Sequence, residues 1–177
     1  MKQLFSLTSF LIVWLLASAA QAGGGGYKIV VTNMLETELL APVLIAPVRA
    51  DRKIFDGDYV TSEAEHQILT GDPAKLVAEI GKSATVGHGT DGPPGVLLAP
   101  GKSVTIMVKA HRDSALRVLA MVAPTEVTDH FVTAIINPKS MLPVMLDRYD
   151  IGHDEGTMAT SYVMGGAAKI TIEADKM

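Results

Sequence analysis

The chain has 177 residues, 48% of them hydrophobic and 19% charged, with a formal net charge of −4 and no cysteine. This composition excludes a disordered acidic tail and a basic nucleic-acid surface, and it suffices for one domain with a sizeable core. The missing cysteines exclude thiol catalysis, iron–sulfur clusters, Cys-based zinc sites, disulfide scaffolding and attachment through a lipoprotein cysteine.

In chain order, residues Met1 to Ala22 read as a signal peptide. Lys2 supplies the positive start, Phe10 to Ala17 the apolar centre, and Ala20-Gln21-Ala22 the small-residue cleavage site. The competing reading is an uncleaved membrane anchor, which the short apolar stretch running straight into small residues disfavours. No later run reaches the roughly 20 apolar residues of a transmembrane helix. An exported protein, periplasmic or secreted, with no membrane span after signal cleavage is therefore expected. Loss of those 22 residues leaves 155 of the 177 and, with Lys2 gone, moves the charge from −4 to −5. The single tryptophan, Trp14, leaves with them, so the core must be aliphatic and little is left to stack on bases or sugars.

Gly23 to Gly26 read as a flexible leader, and residues 27–177 as one domain. Tyr27 to Asn33 and Pro42 to Val48 read as strands, with a loop or short turn between them. Ser62 followed by Glu65 is a capping-box pattern that opens a short helix ended by Gly71. Asp72-Pro73 opens a second, with Leu76, Val77 and Ile80 on one face and Gly81 as its stop. The Gly- and Pro-rich run 87–95 predicts a surface loop.

Val104, Ile106 and Val108 alternate with Thr105 and Lys109, and Leu116, Val118 and Ala120 with Arg117, which predicts two strands joined as a hairpin through His111-Arg112-Asp113-Ser114. Phe131 to Ile136, Met141 to Leu146 and Lys169 to Ala174 predict three more strands. Strands first and last, with helices inserted once, favour an all-β antiparallel sandwich with one or two short helices over repeated βαβ units.

Several apparent motifs fail on spacing. Gly81-Lys82-Ser83 and Gly101-Lys102-Ser103 lack the glycine of a P-loop five residues upstream, where Leu76 and Val96 stand, and they read as turns. His66, His88, His111, His130 and His153 match no triad or zinc-protease pattern. His130 and His153 each lie next to an acidic cluster, a weak signal for a transition metal or for a hydrolase with a His/carboxylate general base. The acids cluster as Glu126 with Asp129, and as Asp147, Asp150, Asp154 and Glu155. Carboxylates on a glycine-bearing loop are the hard oxygen donors that Ca²⁺ takes six to eight at a time, although the ligand order of an EF-hand is absent. Solvated acidic turns are the bland alternative.

The sequence resembles the spondin domain, the amino-terminal module of F-spondin and mindin, which also occurs as single-domain exported bacterial proteins. The resemblance rests on Tyr27 to Asn33, Phe55 through Leu76 with Gly71-Asp72, and Pro100 to Val104. It rests further on Leu119 to Thr125, the Asp-x-Phe-Val of Asp129 to Val132, and Tyr149-Asp150-x-Gly152. It implies a C2-like antiparallel β-sandwich without catalytic activity, an adhesion-type binding domain whose loops at one end hold calcium. Carried over by position, the implied ligands are Asp129, Asp150 and Asp154, with Glu155 beside them. The partner implied is a cell-surface, glycan or protein ligand. Thr128 replaces the usual Asn, Glu126-Val127 is an addition, and Ile151 and His153 replace Ala and Thr. The disulfides and tryptophan of the animal domains are absent.

Overall fold

The structure, a computed structural model, describes residues 24–111, 114–123 and 129–174. The segment 1–22 read as a signal peptide, Gly23, Arg112-Asp113, Pro124 to Thr128 and the last three residues lie outside them. Alternating apolar patterning is realised as strands β1 (Gly24–Asn33), β2 (Leu39–Leu40), β3 (Val43–Pro47), β4 (Phe55–Asp56) and β5 (Tyr59–Val60). After helices α1 (Ser62–Thr70) and α2 (Ala74–Ile80) come β6 (Thr85–Gly87), β7 (Ser103–His111), β8 (Leu116–Ala123), β9 (His130–Ile136), β10 (Val144–Asp150) and β11 (Ser161–Ala174). A 3-10 helix, Val48–Lys53, follows β3.

The described fold is mostly β, as the patterning predicts. One antiparallel sheet runs in the order β6-β3-β8-β9-β10-β11-β1-β7, with β2 added to β8, while β4 and β5 form a separate ribbon. The sheet curls until its ends nearly meet. A Cβ on Gly87 of β6 would lie 2.4 Å from Ile106 Cδ1 of β7, so glycine is what permits this approach. Inside the curl, Ile29, Val31, Ile45, Val118, Val132, Leu146 and Ile170 form the main core, the facing halves packing in the manner of a sandwich.

A second core lies on the opposite face of β3, β8 and β9. Leu44, Leu119 and Phe131 are covered there by Ile54, Ala64, Ile68 and Leu76 from the helical segment and by Ile151. Burial on both faces explains why β3 and β8 are continuous apolar runs. Each such side chain contributes about 1.5–3 kcal/mol on leaving water.

Both expected helices form. Thr61 caps α1, its side chain accepting from Ala64 N–H, one residue earlier than the capping box predicts; Gly71 ends the helix at φ +75°. Asp72 Oδ1 accepts from Ala74 N–H at the start of α2, and Gly81 closes it.

Four expectations need correction. The leader glycines Gly24 to Gly26 are strand, paired with Lys109 to His111, because ladder hydrogen bonds need no side chain. β7 and β8 form no hairpin: β7 pairs with β1, and β8 with β2, β3 and β9. Alternation fixes the face a strand buries and leaves its neighbour open. The strand placed at Met141 to Leu146 runs instead over β10, since Met141 adopts φ +51° and Pro143 precedes the ladder. β11 begins eight residues before Lys169, through a stretch too exposed to show alternation.

Candidate metal site

The acids converge where β9 begins and β10 ends. The register Asp150↔His130 puts the last residue of β10 opposite the first of β9, with Asp129 one position earlier. The loop that follows β10 then folds back over Asp129. Ile151 N–H donates to the Asp129 carbonyl at 3.2 Å, and His153 N–H donates to Asp129 Oδ2 at 3.1 Å. Asp129 is consequently only 2% exposed.

Glycine makes this loop possible. Asp150 Oδ1 accepts from Gly152 N–H in an Asx-type turn, and Gly152 has φ +64°. A Cβ there would stand 2.1 Å from Thr157 Oγ1, so no larger residue fits. Met158 N–H closes the loop onto the Gly152 carbonyl at 3.0 Å.

Two sets of donor atoms share Asp129. One atom each from Asp129, Asp154 and Glu155 lie within 4.8 Å of one another, as do one each from Asp129, His130 and Asp150. Calcium–oxygen distances of 2.3–2.6 Å put opposite ligands about 4.8 Å apart, so the carboxylate set fits a single hard cation. Asp129 Oδ1 is buried without a hydrogen-bond partner. An unpaired buried carboxylate oxygen costs on the order of 1–3 kcal/mol, an anomaly that a bound ion would remove. Burial pushes the Asp129 carboxyl above its ordinary range, the close Asp154 carboxyl and the Asp150 charge push the same way, and the His153 amide opposes them.

Both histidines are engaged with other side chains. Arg148 Nε and Nη2 lie 3.1 and 2.6 Å from His130 Nδ1, and since guanidinium only donates, Nδ1 is the acceptor. The proton of the neutral ring then sits on Nε2, 3.6 Å from Asp150 Oδ2. Arg148 is itself held by Glu38 at 2.9 Å. The His153 ring meets Glu65 of α1 at 3.1 Å.

Of the residues singled out in the sequence, Asp129, Asp154 and Glu155 come together, and Asp150 meets Asp129 on its other side beside His130. Asp147 sits within β10, and Glu126 lies outside the described residues. Sequence reasoning missed Arg148, Glu38 and Glu65. They are far apart along the chain, and no local signal joins them.

The fold and the cluster define a class: an all-β domain whose adjoining loops gather carboxylates around one buried, unpaired oxygen. The chain matches no family model and no curated protein at a significant level.

Proposed function

We propose that this is an exported, non-enzymatic binding domain that holds Ca²⁺ between Asp129, Asp154 and Glu155, with Asp150 on its flank. The carrying observation is the buried, partnerless Oδ1 of Asp129 beside two further carboxylates. The donors are all oxygen, and His130 is committed to Arg148, which favours a hard cation over a transition metal. Export is supported by Lys2, the apolar run and Ala20-x-Ala22. The resemblance to spondin domains agrees with both points.

In this reading the ion ties the start of β9 to the β10–β11 loop. Asp154 and Glu155 are exposed, so part of the coordination sphere faces solvent and accepts an oxygen from an acidic surface ligand or glycan. Among the described residues no helix is long and apolar enough to cross a membrane.

Calorimetric titration of the EDTA-stripped protein with Ca²⁺ tests the proposal. Binding is expected, adding about 2.7 kcal/mol of stability at one hundred times Kd and raising the melting temperature accordingly. No heat and no thermal shift at millimolar calcium would overturn it. The same result with Zn²⁺ alone would overturn the choice of metal.

A further inference from the structure

The 3-10 helix Val48–Lys53 carries three cations, Arg49, Arg52 and Lys53, and one acid, Asp51. At about three residues per turn, positions three apart eclipse, so Arg49 and Arg52 stand on one face of it. Asp51 is spent elsewhere: its two carboxylate oxygens accept from Arg117 of β8, at 3.3 Å from Nε and 2.7 Å from Nη2. Lys53 is ion-paired with Glu79 of α2. The guanidinium groups of Arg49 and Arg52, both exposed residues, have no hydrogen bond or ion pair among the described residues.

These two arginines line one open pocket of about 420 Å³ together with Lys53, Glu79 and Ser83. Three cations against one carboxylate leave that lining at +2, in a chain whose net charge is −4. Ser83 comes from the turn Gly81-Lys82-Ser83 after α2, and its hydroxyl also has no partner among the described residues. Like charges gathered on one helix face repel, so the pocket presents two guanidinium forks and a hydroxyl that only an anion from outside can bridge.

We propose that this pocket binds a dianionic phosphate, as the free ion or as a monoester, with Arg49 and Arg52 on its oxygens and Ser83 donating a further hydrogen bond. Charge selects the ligand class. A phosphate monoester carries about −1.5 to −2 at neutral pH, which matches the lining. A carboxylate would satisfy one fork and leave the second cation uncompensated, whereas a tetrahedral phosphate presents oxygens to both. None of Asp129, Asp154 and Glu155 lines the pocket, so the site stands apart from the function proposed above.

Two titrations of the EDTA-treated protein at neutral pH and low salt test it: calorimetry with inorganic phosphate, and co-sedimentation with phosphatidylcholine vesicles with and without phosphatidic acid. One-to-one binding that added sodium chloride weakens is expected. Binding of inorganic phosphate assigns a soluble ligand, and binding of the phosphatidic acid vesicles alone assigns a lipid-borne one; either supports the site. Arg49→Gln and Arg52→Gln should each weaken binding about tenfold or more at an unchanged melting temperature, and Arg52→Lys, which keeps the charge and loses the fork, should fall between. Lys102→Gln removes one positive charge outside the pocket and should bind as wild type does. No binding in either titration, binding that survives the combined Arg49→Gln and Arg52→Gln variant, or an equal loss in Lys102→Gln would each overturn the proposal.

Discussion

Asp129→Asn separates the energetic claims made for the carboxylate cluster. In the metal-free protein at neutral pH, Asp129 is buried, faces the charges of Asp150 and Asp154, and leaves Oδ1 unpaired. Two unit charges about 4.8 Å apart repel by about 1 kcal/mol in a water-like medium and by about 3 kcal/mol at an effective dielectric constant near 20. Asp154 is exposed, which places the net cost toward the lower end. Asparagine keeps an oxygen for the His153 amide, removes the charge and offers its NH₂ to the neighbouring carboxylates. Metal-free Asp129→Asn should therefore be more stable than wild type at pH 7 by about 1–2 kcal/mol, or about 3–6 °C in melting temperature for a domain of this size.

The sign of the pH dependence follows from the same shift. Because the folded-state value of Asp129 is raised, its favourable contribution is complete below the unfolded value of about 4 and is lost as pH rises through the folded value. The stability advantage of the variant should accordingly appear above pH 4 and vanish below it. Calcium should stabilise wild type and leave the variant unmoved. Chemical denaturation of both proteins from pH 3.5 to 8, with EDTA or calcium, measures all three effects. A variant less stable than wild type at pH 7, or one that still responds to calcium, would refute the reasoning.

Gly152→Ala must relieve a 2.1 Å approach to Thr157 Oγ1 at a positive φ, so it should cost about 1–3 kcal/mol and weaken calcium binding together, as read by melting curves and calorimetry. Arg148→Met strands Glu38 and releases His130 Nδ1; it should destabilise by about 1–3 kcal/mol. Nitrogen NMR should find His130 protonated on Nε2 in wild type, and a ring protonated on Nδ1 would contradict the assignment. Gly87→Ala sets a methyl group 2.4 Å from Ile106 Cδ1 and should cost about 1–3 kcal/mol, with Ile106→Val restoring part of the loss in the double variant.

The fold was legible wherever burial is one-sided or a cap is spelled out. β1 and β7 show their inward faces as alternation, and Gly71 and Gly81 mark both helix ends. Strand neighbours were not legible: β7 and β8 follow each other closely in sequence, yet they pair with different strands. β10 was displaced because its inward position after Leu146 is Arg148, a cation buried only through Glu38, which is 110 residues away. Spacing within one strand cannot show that a charge is neutralised by a distant one.

The acids were legible as types and not as an environment. Next to Phe131, Asp129 reads as an ordinary turn carboxylate; its burial comes from the loop after Asp150, which lays the amides of Ile151 and His153 over it. What that loop brings is negative charge without internal compensation. Arg148, the cation nearest in the network, spends Nη1 on Glu38 and Nε with Nη2 on His130, and the His153 ring turns to Glu65. No basic side chain among the described residues hydrogen-bonds the Asp129 carboxylate, whose one donor is the His153 amide, and Oδ1 has none. A fold that buries a carboxylate beside two others and directs its own cations elsewhere leaves the counter-charge to be supplied from solution. That asymmetry, more than the number of acids, is why the site is read as a cation site rather than as an acidic turn.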